Sequence, residues 1–175
     1  MPDPAQEAFD AAFLAAYGEL RRLAAHMQRN DPAVTFDPTG LVNAAWLKLA
    51  GTPELAQTTP LHFKRIAARA MRQILVEAAR KRTAEKRGGG SVVAITLDEG
   101  NQPTIGAADE VIALHEALEA LASRHPRPAA VVEARYFGGL TTEEVAETLG
   151  ISEATVLRDW RTARAWLASE LGDVA

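Results

Sequence analysis

Cysteine is absent from the 175-residue chain. Disulfides, thiolate metal sites and a thiol nucleophile are therefore excluded, as fits a reducing compartment. Four histidines, at positions 26, 62, 115 and 125, form no HExxH or comparable ligand spacing, so no metal is expected. There is no Gly-x-Ser-x-Gly elbow either, and the glycines at 88–90 are followed by no Lys-Ser/Thr pair that would make a phosphate loop. No stretch approaches the roughly 18 apolar residues of a spanning helix. The acidic start, MPDPAQEAFD, lacks the basic region of a secretory signal. Aromatic residues are few and β-branched residues are sparse outside one segment, whereas alanine is abundant. Helices are expected nearly throughout. These absences describe a cytoplasmic, all-α chain that is not an enzyme and carries no cofactor, with a hydrolase as the last alternative.

Charge is present in an uneven form. The formal net charge is −4, which taken alone argues against nucleic acid. Residues 62–90, however, hold nine basic and two acidic residues, while every other part of the chain is net acidic. A local field of this kind matters more to a polyanion than the total does. The same segment carries the helical pattern Phe63, Ile66, Ala67, Ala70, Ile74 and Ala78. Arg65, Arg69 and Arg72 lie on its far side, with Arg80, Lys81, Arg82, Lys86 and Arg87 towards its end. Cations at a helix C-terminus complement the macrodipole, but nine exceed that need. A phosphate-tracking face and a patch for an acidic protein partner are both consistent with them.

The clearest motif is TTEEVAETLGISEATVLRDWRTARAWL, residues 141–167. Thr141 and Glu144 have capping-box spacing, Gly150 suits the left-handed residue that closes a helix, and Ser152 can cap the next one. The second helix has the apolar stripe Val156, Trp160, Ala163 and Leu167, within about 60° of arc. Its opposite face carries Ala154, Thr155, Arg158, Arg161, Thr162 and Ala165. Small residues that allow close approach, together with arginines able to donate twice to a guanine edge, are what a major-groove helix requires. A solvated helical hairpin is the alternative.

The rest of the chain reads in order as a helix from residue 4 to about 29, stopped by Asn30, Asp31 and Pro32, and a short helix LVNAAWLKLA entered through Asp37–Pro38. A loop at 51–60 leads to the basic helix, which extends to about Arg87. The short helix is apolar on two sides: Leu41, Val42, Ala45 and Leu49 on one, Trp46 and Leu47 elsewhere. It is either wholly buried or half reserved for a partner. Residues 88–106 read as a flexible linker. A four-helix unit follows from Ala107, with the stripe Val111, Leu114, Leu118 and Leu121 and a helix opened by Pro128. The expected architecture is two small helical domains, 1–87 and 107–175, the second ending in a helix-turn-helix.

The order of these parts resembles the bacterial sigma factors of the extracytoplasmic-function (ECF) class. The resemblance covers nearly the whole chain. It is most specific in RYFGGLTTEEVAETLGISEATV and is also good in ARAMRQILVEAAR. It implies a protein that binds core RNA polymerase and promoter DNA, is monomeric when free and does not enter membranes, with an anti-sigma factor as a further possible partner. It implies polymerase docking through residues 41–49, with Leu41, Val42, Asn43, Trp46, Leu47 and Lys48 as contact residues. It implies minus-ten recognition by the 62–87 helix, with Arg65, Arg69, Arg72, Arg80 and Lys81, helped by a base-capturing loop at 51–60. The 152–167 helix would read the minus-thirty-five element with Thr155, Arg158, Arg161 and Arg164. Leu157 stands where the family often has a basic residue, and Ala44–Ala45 where it often has an acidic one. A free-standing dimeric helix-turn-helix regulator is the competing reading.

Overall fold

A computed structural model describes residues 1–28, 36–85 and 108–172. These residues form α1 (Pro4–Gln28), α2 (Pro38–Leu49), a 3-10 turn (Pro53–Gln57), α3 (Pro60–Glu85), α4 (Ala108–Arg124), α5 (Pro126–Val132), α6 (Thr142–Leu149) and α7 (Glu153–Leu171), with no strand among them. The expected stop at 30–32, the cations Lys86 and Arg87, and the linker at 88–106 lie outside the described residues.

Helix starts follow the local chemistry. Asp3 accepts from the Ala5 amide at 3.0 Å, Asp37 from Gly40 at 2.7 Å and Thr59 from His62 at 3.2 Å. Each satisfies a donor that has no partner within its helix. α5 begins two residues before the expected Pro128, because Pro126 already supplies the fixed φ that suits a first helical position. It runs on into a π turn, Glu133–Phe137, where the Gly138 amide reaches back to the Glu133 carbonyl at 3.0 Å. The loop at 51–60 contains the 3-10 turn, which packs on α1.

Phe9 and Phe13 of α1 meet Phe63 of α3, with ring centroids about 6 Å apart, and α2 lies against both helices. α4, α5 and α6 pack around α7, whose stripe Val156, Trp160, Ala163 and Leu167 is buried throughout. α3 also lies along α4 and against the π turn, so the apolar core runs from α1 to α7 without a break.

The α6–α7 turn follows its sequence signature. Thr141 and Glu144 form a reciprocal capping box, at 2.8 and 3.2 Å. Gly150 has φ +65°, and the Ile151 amide bonds the Ala146 carbonyl at 3.0 Å, closing a Schellman motif. A Cβ on Gly150 would meet no atom within 4 Å, so only the backbone would object to it. Gly150→Ala is expected to cost about 1 kcal/mol, read from the urea midpoint at unchanged m-value.

Candidate nucleic-acid and partner interfaces

α7 is fixed in rotation by more than its apolar stripe. Asp159 is buried on the same side and accepts twice from Arg127 of α5, at 2.5 Å from Nε and 3.2 Å from Nη2. Hydrogen bonding to Asp159 raises the Arg127 pKa further, mainly through that bond and then its charge. Arg135 stacks over the Trp160 ring at 4.7 Å. Arg158, Arg161, Thr162 and Ala165 are thereby left in solvent, with Leu157 beside them. Neither Arg158 nor Arg161 has an ion pair among the described residues. Thr155 and Arg164 are half-buried; the Thr155 amide bonds the Ser152 cap at 3.2 Å.

α2 turns one side inward and one outward. Leu41 and Val42 have no exposed surface. As partner contacts they are corrected: both belong to the core, because they share the inner face with Ala45. Asn43, Leu47 and Lys48 point outward, and Leu47 is 70% exposed. Trp46 is half-buried, its indole N–H donating to Asp10 at 3.1 Å. Lys48 pairs with Glu77 of α3 at 3.0 Å. A short helix of high hydropathy thus keeps an apolar side chain in water that its own fold does not use.

The basic face of α3 departs from expectation. Arg69, Arg80 and Lys81 are exposed and Arg65 is half-buried. Arg72, expected in solvent, is only 3% exposed and is corrected as an accessible DNA contact. The reason is a second buried stripe, Ala68, Arg72, Leu75 and Ala79, within about 60° of arc on the side turned to α4. Arg72 Nη1 lies 2.8 Å from His115 Nδ1, Nη2 donates to Glu133 at 2.8 Å, and the guanidinium sits 5.0 Å from the Phe137 ring centroid. Glu119 stands at 3.9 Å. Arg69 Nε reaches the same Glu133 oxygen at 3.5 Å, and Arg80 lies 3.9 Å from Glu116. Sequence reasoning missed Asp159, His115 and Glu133; the 4-3-4 spacing of residues 68, 72, 75 and 79 was the available signal for the seam.

A guanidinium cannot accept, so His115 must receive the Arg72 hydrogen bond on an unprotonated Nδ1. Burial lowers the His115 pKa first and the Arg72 charge lowers it further; Glu119 and Glu116 oppose, and Arg80 adds to the lowering. The folded value therefore lies below the unfolded one. Between the two the unfolded chain binds more protons, so stability is held above the ordinary value of 6.5 and declines as pH falls below it. Thermal melts from pH 7.5 down to about 5 should show this decline, reduced in His115→Gln.

Two arginine-bearing helices on an all-α frame, one with its arginines turned to water beside a well-capped turn, have the make-up of a transcriptional DNA-binding protein. The family model described as ECF sigma factor matches residues 3–173, nearly the whole chain, and the chain belongs to that family. It is a sigma factor of transcription initiation, whose partners are core RNA polymerase and promoter DNA. No curated protein and no solved structure matches it. No helix among the described residues is long and apolar enough to cross a membrane.

Proposed function

We propose a division of labour within this sigma factor. The outer face of α7 reads the minus-thirty-five element, with Arg158 and Arg161 on base edges and phosphates, Thr155 close to the bases and Arg164 at the flank. α3 meets the minus-ten region through Arg65, Arg69, Arg80 and Lys81. The outer face of α2, through Asn43, Trp46, Leu47 and Lys48, docks on core polymerase. The two parts of the chain, 1–87 and 107–175, act as separate recognition modules, and an anti-sigma factor is a further partner.

The observation that carries this reading is the asymmetry of α7. Every apolar residue of its stripe is buried, while Arg158 and Arg161 stand in solvent without an ion pair among the described residues. Arginines kept for packing or pairing would be engaged. Transcription in vitro tests it. Core polymerase supplied with this chain and a library of genomic promoter fragments is expected to start at a discrete set of sites sharing two elements. Starts no different from those of core alone would refute the reading.

A further inference from the structure

Among the described residues, four large apolar side chains stand in water: Met1, Leu14, Leu47 and Leu157. Leu157 is the one on α7. Its 40% exposure contrasts with Ile151, Trp166 and Leu171 of the same hairpin, which are partly buried against the core. It lies about 60° outside the buried stripe of α7. Leu157, Arg161, Ala154, Ala165 and Arg158 are all exposed and follow one another around about 100° of the outer surface. The leucine therefore borders the arginine face. It stands at the start of the second turn of α7, and the first residues of such a helix are the ones that meet bases. A leucine has no donor to offer a phosphate. In the major groove one base edge presents an apolar group, the C5 methyl of thymine. Arginines that donate to guanine, with one large apolar side chain beside them, match a thymine close to a guanine.

We propose that Leu157 is a specificity-determining residue that packs on the C5 methyl of one thymine in the minus-thirty-five element. This rests on the reading of α7 as the helix in the groove. Leu157 and Arg161 are four residues apart, about 6 Å along the helix axis, and successive base pairs rise by about 3.4 Å. The thymine therefore lies within about two base pairs of the one that Arg161 contacts. Ala154, three residues before Leu157 and exposed beside it, ends at its Cβ and leaves the leucine room to lie against the base.

Deoxyuridine is thymidine without that methyl and pairs with adenine in the same way, so it removes one side of the contact and nothing else. Promoters selected by polymerase with this chain are synthesised with each thymine of the minus-thirty-five element, on either strand, replaced singly by deoxyuridine. Affinity is measured for core polymerase carrying the full chain, at fixed salt. In the natural chain one replacement should cost about fourfold, the worth of one buried methyl-sized group, and the others close to nothing. Leu157→Ala should bind the thymine promoter about fourfold less tightly and no longer distinguish thymine from deoxyuridine there, so that the two deletions do not add. Leu157→Met, of similar volume, should keep the discrimination. Arg161→Ala, tested against single base-pair changes, locates the pair from which the two-base-pair span is counted. Equal weakening of Leu157→Ala on thymine and deoxyuridine promoters would place Leu157 on polymerase or on the DNA backbone and overturn the proposal. So would a deoxyuridine penalty that survives in Leu157→Ala, a sensitive thymine outside the span, or no sensitive thymine at all. Scrambling the element separates this proposal from the reading beneath it. Unchanged affinity on scrambling removes α7 as the reader, whereas a scrambling penalty without methyl dependence removes Leu157 alone.

Discussion

Arg158→Ala/Arg161→Ala is expected to erase preference for the upstream promoter element while leaving polymerase affinity unchanged. One bidentate arginine–guanine pair discriminates by about 1–3 kcal/mol. Two such contacts, even at the lower bound, correspond to about thirtyfold between cognate and scrambled elements. The comparison is clean because both side chains lie in solvent, opposite the stripe that holds α7 in place. Stability should stay within about 0.5 kcal/mol of the natural chain. Competition between promoter fragments for the polymerase complex, at fixed salt, gives the discrimination; titration of labelled core gives the affinity. Loss of polymerase binding in the double variant would show that α7 does not work as an independent reader.

The contrast between α7 and α3 shows where sequence is informative. On α7 the buried apolar residues Val156, Trp160, Ala163 and Leu167 keep to one stripe, so periodicity alone assigns Arg158 and Arg161 to the other side. On α3 the apolar residues occupy two stripes. Ala68, Leu75 and Ala79 are too small or too scattered to stand out beside Arg65, Arg69 and Arg72, and the alternating arginines read as a single solvated face. Only the partner elements α4 and the π turn decide between these readings, and they enter from more than 40 residues away. Asp159 is similar. On a helical wheel it falls about 40° outside the stripe, next to Ala163, and nothing local foretells that Arg127 will reach it. The caps at Asp3, Asp37, Thr59, Thr141 and Ser152 were legible because each acts within three residues. The two sides of α2 were legible as a choice, and burial of Leu41 and Val42 beside exposure of Leu47 decides against complete burial.

That decision makes two leucines of one helix into opposite predictions. Leu41 is wholly enclosed, so Leu41→Ala removes buried methyl groups and leaves a cavity, at a cost of about 2–5 kcal/mol. For a chain of this size the melting temperature should fall by about 5–15 °C. Polymerase binding should be affected only through the unfolded fraction and should recover on cooling. Leu47, six residues on, is 70% exposed and has almost nothing to lose within its own fold. Leu47→Ala should shift stability by no more than about 0.5 kcal/mol, yet lower the affinity for core polymerase by about tenfold or more if it is an anchor of the interface. Calorimetry and a binding titration on the two variants give four numbers, and only the crossed pattern fits. Equal loss of affinity at equal retained fold would mean that the inner side of α2 is remodelled on docking. No loss at Leu47 would leave the outer face of α2 without a role in polymerase binding.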